Sequence, residues 1–379
     1  MPPTAHILYC EKNNAWRYML VKKAELKIIE NAPVNTHFAA VNSGNGFLCF
    51  YSDVFGNGKI KRRYIIKGGP GTGKSSFMKR AAEYAAKKGR DIEYFRCSSD
   101  PVSLDGIIVD GEIAILDGTA PHIYDPVIAG AADEIVNLGE FWDADRLYTH
   151  YNDIAALSAL RSNAYSKVYK FLSAAMNVSE ANDCVMGDAL LEDKMRAAAW
   201  RIMRQIPDGK EFSLKYGFVN AIGMSGRVHL DTYEKKAKKL YAVYDSYGLG
   251  WRFLSTLLSI ARKKELRTQV SYMPLDISKP DAVYFPDSGI AFVLYEDEDR
   301  EGSVKINMKR FTDSKIVDAR KAEYRLNHRL YEALLLSATE ALSEAGRYHF
   351  KLEDIYVECM DFEAEAKFIA EFCEKLFGE

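Results

Sequence analysis

The sequence predicts an α/β protein built from two tandem doubly wound parallel sheets, each with an appended helical segment. Three observations lead there. A glycine-rich loop sits between a strand-like run and a helical run, apolar strand-length stretches alternate with helical ones, and the chain repeats itself at an offset of 177 residues (Gly248 against Gly71).

The loop is Gly68-Gly69-Pro70-Gly71-Thr72-Gly73-Lys74-Ser75, with Ser76 following. Before it, Tyr64-Ile65-Ile66-Lys67 is β-branched and aromatic and of strand length; after it, Phe77, Ala81, Ala82 and Ala85 recur at helical spacing until Gly89. This is the G-x-x-x-x-G-K-[ST] pattern in the context it requires. Glycines let successive backbone N–H groups converge on phosphate oxygens where a Cβ would obstruct them. The helix start adds its positive dipole end. Lys74 is expected to reach the β- and γ-phosphates, and the Ser75 hydroxyl to ligate Mg²⁺. Gly68 to Ser76 is therefore the expected nucleotide-binding set, with ATP and Mg²⁺ as ligands.

The chain has 379 residues, enough for two domains, expected at 1–210 and 211–379. A hydrophobic fraction of 48% and a charged fraction of 27% are those of a soluble globular protein. A net charge of -2 offers no general attraction to nucleic acid or an anionic membrane. The start MPPTAHILYC lacks a basic segment followed by an apolar core, and no stretch approaches the ~20 apolar residues of a membrane span. A cytoplasmic location follows as the expectation. Six scattered cysteines without a C-x-x-C pair read as reduced thiols, Cys97 among them as a buried strand-end residue.

Taken in order, a helix is expected over about 16–30, a glycine-broken strand pair around Gly44 and Gly46, and a turn over 53–58. The basic run Lys59-Ile60-Lys61-Arg62-Arg63 lacks the aromatic platforms or longer stripe of a nucleic-acid surface and reads as solvated. Beyond the loop helix, Asp91–Cys97 is a second strand running into Ser98-Ser99-Asp100, and Ile113–Leu116 a third, ending in Asp117. An acidic strand end at this distance from the loop is expected to hold Mg²⁺ directly or through water. Ligands of doubly wound sheets sit beyond the carboxyl ends of the strands, which brings the loop, Cys97–Asp100 and Asp117–His122 into one crevice. Asp100 and His122 thereby become candidates to orient an attacking water or hydroxyl. Asp105 has a counterpart in Asp281 and reads as structural. Helices are expected between 140 and 210, broken at Ser179–Asp183, and again over 318–345 and 363–377, without sustained heptads.

The second copy keeps strand residues and loses the chemistry. Where the first has Lys74, Ser75 and Asp117, the second has Trp251, Arg252 and Leu294. It reads as a pseudo-domain, with Trp251 filling part of the old phosphate space.

The segments IIKGGPGTGKSSFMKR, CSSDPVSLDG, ILDGTAPHIYDP and DEIVNLGEFWD together resemble an uncharacterised bacterial family of tandem P-loop ATPase-like proteins. The resemblance spans both halves and implies a P-loop NTPase fold in each. In that family the second half often has its own phosphate loop, which Asp245 to Arg252 does not match. ATP hydrolysis coupled to conformational change between the halves is the leading expectation. A kinase-like transfer to a small molecule, or a nucleotide-binding switch with negligible turnover and an unknown partner, are the alternatives. The absence of a Glu after Asp117 weakens hydrolysis and favours these two. No guanine-reading Asn-Lys-x-Asp or transporter Leu-Ser-Gly-Gly-Gln stretch occurs.

Overall fold

The computed structural model describes residues 32–296 and 300–378; the helix expected over 16–30 lies outside them. Strand β1 (Thr36–Phe38) is followed by the hairpin β2 (Ala40–Ser43) and β3 (Gly46–Cys49), then a short helix α1 (Tyr51–Phe55) where the sequence suggested a turn. Next come β4 (Arg62–Lys67), α2 (Lys74–Lys87), β5 (Ile92–Arg96), β6 (Leu104–Val109), β7 (Ile113–Asp117) and β8 (Asp133–Asn137). Helices α3 (Ala144–Thr149), α4 (Tyr151–Gly187) and α5 (Glu192–Met203) close this half. The second half repeats the order: β9 (Ser213–Tyr216), the hairpin β10 (Asn220–Gly223) and β11 (Gly226–His229), α6 (Thr232–Lys236), β12 (Lys239–Tyr244), α7 (Gly250–Lys263), β13 (Arg267–Tyr272), β14 (Pro280–Phe285), β15 (Ile290–Tyr295) and β16 (Val304–Asn307). It ends with α8 (Ser314–Glu358) and α9 (Phe362–Phe377).

Each half forms one six-stranded sheet, in the orders β1-β5-β6-β7-β4-β8 and β9-β13-β14-β15-β12-β16. The sheets are mixed, not parallel as expected. β6 runs antiparallel to β5 and β7, and β14 antiparallel to β13 and β15, while the other neighbours are parallel. The reason lies in the turns. In the three-residue connection 110–112, Asp110 (φ 52°) and Gly111 (φ 70°) both take positive φ, which returns the chain beside itself. A parallel partner would need a crossover of a dozen residues or more.

The halves share capping as well as order. Asn137 accepts from Gly139 N–H and Asn307 from Lys309 N–H, while Asp143 and Asp313 cap the helices that follow. Helix α4 runs unbroken through 179–183, because its polar residues there have tertiary work: Asn182 is buried and Asp183 pairs with Lys279 at 2.5 Å. Antiparallel α4 and α8 bury Val168, Leu172 and Ala175 against Leu335, Ala338 and Leu342.

The closing helices cross over. Helix α5 contributes Met195, Ala199 and Met203 to the core under α7 of the second sheet. Helix α9 contributes Ile369, Cys373 and Phe377 to the core under α2 of the first. The hairpins reciprocate too: Gly44 N–H donates to Leu275 O, and Met224 N–H to Ser99 O, both at 3.0 Å. Each half thus supplies apolar surface and hairpin contacts that the other requires. Among the described residues, no helix is long and apolar enough to cross a membrane.

Candidate functional site

The glycine loop leaves the carboxyl end of β4, whose Tyr64, Ile65 and Ile66 are buried as a central strand demands. Gly71 and Gly73 take φ of 69° and 79°, which a side chain would strain. Thr72 Oγ1 ties the loop by donating to Gly69 O at 2.9 Å. Helix α2 then starts at Lys74, its buried face formed by Phe77, Met78, Ala81, Ala82 and Ala85.

Lys74 Nζ donates to the carbonyls of Gly68 (3.1 Å) and Gly69 (2.8 Å) and lies 3.8 Å from Asp117 Oδ2. The parallel pairing of Ile66 with Asp117 sets that approach. Asp117 Oδ1 accepts from Thr119 N–H at 2.8 Å and from the Thr119 hydroxyl. Ser75 Oγ accepts from Leu104 N–H at 3.0 Å, linking the loop helix to β6. These groups offer a cation, a hydroxyl and a carboxylate beside a glycine loop. Ser75 and Asp117 are hard oxygen donors of the kind Mg²⁺ takes.

Asp100 and His122 divide. Asp100 accepts from Ser103 Oγ (2.7 Å) and Val102 N–H (3.3 Å), closing the turn after β5. Burial raises its carboxyl above the usual range, against those hydrogen bonds, and the α8 charges of Glu353 and His349 also reach it. His122 lies with Asp105 instead, Nε2 3.4 Å from Oδ2, its ring stacked on Tyr51 at 5.1 Å. Burial pushes the Asp105 carboxyl up to about 6, with the neighbouring His122 opposing.

A roof from the second half was not legible. A Cβ on Gly69 would come within 2.6 Å of the Tyr356 ring, and one on Gly71 within 2.9 Å of Glu353 O. At Gly73 it would strike the Glu365 carboxylate, which is 3% exposed with Oε1 unpartnered. Glycine is thus required here both for backbone freedom and for the close approach of α8 and α9. Arg161 of α4 contacts His349 Nδ1 of α8 at 3.1 Å.

The equivalent loop of the second half is filled by its own chain. Asp245, which stands where the first half has Gly68, folds its carboxylate onto Tyr247 N–H (3.3 Å), Leu249 N–H (3.0 Å) and Gly250 N–H (2.6 Å). The side chain filling that cradle is thus Asp245, not Trp251; the Trp251 indole meets Asp183 of α4 at 3.5 Å. Aspartate in place of the motif's first glycine was the available signal. Comparison of the chain with protein-family models, curated proteins and solved structures finds no match.

Proposed function

We propose that the chain is an ATP-binding P-loop NTPase that hydrolyses ATP with Mg²⁺ and couples turnover to movement between an active first half and a degenerate second half. The observation that carries the reading is Lys74 at the mouth of a positive-φ glycine loop, 3.8 Å from the strand-end carboxylate of Asp117. In this reading Lys74 exchanges its Gly68 and Gly69 carbonyls for phosphate oxygens, and the amides of 71–75 gather around them. Ser75 and Asp117 would hold Mg²⁺, which neutralises phosphate charge. Asp100 is the candidate to orient the attacking water.

Coupling follows from the roof. A triphosphate brings negative charge toward Gly73, against which the Glu365 carboxylate is packed. Nucleotide binding then works against the docking of α9, a helix belonging to the second half. A second reading, phosphoryl transfer to a small molecule, is favoured by Gly118 following Asp117 where hydrolases of this type commonly place a catalytic glutamate.

Calorimetric titration of ATP–Mg²⁺ tests the site. Lys74→Ala leaves phosphate charge unpaired and should weaken binding by roughly 2–5 kcal/mol; wild-type affinity in that variant refutes the assignment. Basal phosphate release supports hydrolysis, whereas a phosphorylated product formed only with a metabolite extract supports transfer.

A further inference from the structure

Beside the candidate nucleotide loop, three side chains from successive strand ends converge: Cys97 after β5, Asp105 on β6 and His122 in the loop after β7. The thiol, one carboxylate oxygen and one ring nitrogen all lie within 4.8 Å of one another. We propose that Cys97, Asp105 and His122 form a binding site for a Zn²⁺-type divalent cation, separate from the oxygen-only pair Ser75 and Asp117.

The geometry suits the ion. Bonds of about 2.0–2.3 Å in a tetrahedron place neighbouring ligand atoms roughly 3.3–3.7 Å apart. His122 Nε2 and Asp105 Oδ2 stand at 3.4 Å. Sulfur, nitrogen and a single oxygen make a donor set that favours Zn²⁺ over Mg²⁺. Three protein ligands leave a fourth position for water or a substrate oxygen, the arrangement of catalytic zinc.

The polar atoms are also short of partners. Asp105 is 4% and His122 6% exposed, yet Asp105 Oδ2, the oxygen that faces His122 Nε2, accepts no hydrogen bond. Such groups are costly to bury unsatisfied. The surroundings fix the ligands rather than satisfy them. Phe47 meets the imidazole edge-on at 5.0 Å and Tyr51 stacks on it, while the Tyr51 hydroxyl donates to the Asp105 backbone carbonyl at 3.2 Å. An apolar shell of this kind limits solvent access and lowers the local dielectric around a metal.

The repeat supplies an internal contrast. Cys97 N–H donates to Ser103 O as Met273 N–H donates to Lys279 O, which makes Met273 the counterpart of Cys97. Asp281 is the counterpart of Asp105, and its carboxylate takes Asn220 Nδ2 at 2.7 Å. The stretch 296–303 after β15 contains no histidine. The second half thus has a thioether in place of the thiol, and its nearby imidazole, His229, is joined to Asp281 through Asn220 rather than set directly against it.

The test uses the full chain, stripped with chelator and titrated with Zn²⁺ alone, then separately with Co²⁺ as a spectroscopic probe. One Zn²⁺ per chain is expected, with a thiolate-to-Co²⁺ charge-transfer band in the near ultraviolet. Cys97→Ser should abolish that band, and Cys97→Ser and His122→Ala should each weaken Zn²⁺ binding at least ~10-fold. Cys49→Ser, which alters an exposed thiol, should change neither. Stoichiometry well below one with no thiolate band on the wild-type chain overturns the site, whatever the variants do. Retention of the band in folded Cys97→Ser, judged by circular dichroism, overturns it equally.

Discussion

Replacing Asp245 tests whether a carboxylate has taken over the anion's place in the second half. Its oxygens accept from Leu249 N–H at 3.0 Å and Gly250 N–H at 2.6 Å, with a longer contact to Tyr247. A hydrogen bond to a charged group contributes about 1.5–3 kcal/mol net, and burial of Asp245, which raises its pKa, offsets part of that. Two strong bonds and one weak one then predict a loss of about 2–4 kcal/mol for Asp245→Ala. Asp245→Asn keeps an acceptor and should cost about 1 kcal/mol. The more telling variant is Asp245→Gly, which restores the residue that the first half has at Gly68. Its emptied amides should collect an inorganic anion, so phosphate should stabilise it by about 2.7 kcal/mol at a hundred times the dissociation constant. Urea unfolding followed by circular dichroism, with and without sodium phosphate against sodium chloride of matched ionic strength, reads all of these. An Asp245→Ala loss below about 0.5 kcal/mol, or equal phosphate stabilisation of wild type and Asp245→Gly, would refute the reasoning.

Other expectations concern the crossing helices and the His229–Glu234 pair of the second half. Phe377 is 1% exposed in the core beneath α2, so Phe377→Ala should cost about 3–5 kcal/mol; a loss under about 1 kcal/mol in urea unfolding would mean that α9 is not part of that core. His229 Nε2 meets Glu234 Oε1 at 2.6 Å. Burial pulls the imidazole pKa down, but the Glu234 hydrogen bond outweighs it and the net shift is upward. Glu234 is likewise raised by burial and lowered further by His229, for a net fall. The His229 contribution is therefore full below about pH 6.5 and lost as pH rises through its higher folded value; the Glu234 contribution is present above about pH 4.3 and lost on acidification through its lower folded value. The stability gap between wild type and His229→Gln should narrow from pH 6 to pH 9, and a gap that widens would overturn the pairing.

What the sequence conveys best is local. The loop from Gly68 to Ser75 is readable because Gly71 and Gly73 answer positive φ and Gly68 the close approach of Thr72, constraints set within a few residues, and the helical run after it is punctuated by Gly89 at φ 76°. Asn137 and Asn307 act locally too, each capping the turn that follows its strand. Strand direction was less accessible. The run Leu104–Val109 is apolar enough to suit either orientation, and only the Asp110-Gly111 pair carries the signal for a return. Least legible were contacts between distant segments. Nothing near Glu365 or Tyr356 in the chain announces that they press on glycines nearly three hundred residues away. Sequence position places His122 in one crevice with Asp117 as a candidate to orient water, and the ring packing on Tyr51 and Phe47 that sets it against Asp105 had no local signal.

Helix α9 has a bearing on biogenesis. Ile369, Cys373 and Phe377 seal a core whose other side was laid down by residues 77–85. During translation the strands of the first sheet cover part of that face, and the part that Phe372 and Phe377 meet, at Phe77 and Tyr84, waits until 362–377 are made. The half that bears Lys74 thus precedes in the chain the helix that completes its core, so α2 gains its full packing only after 362–377 have been made.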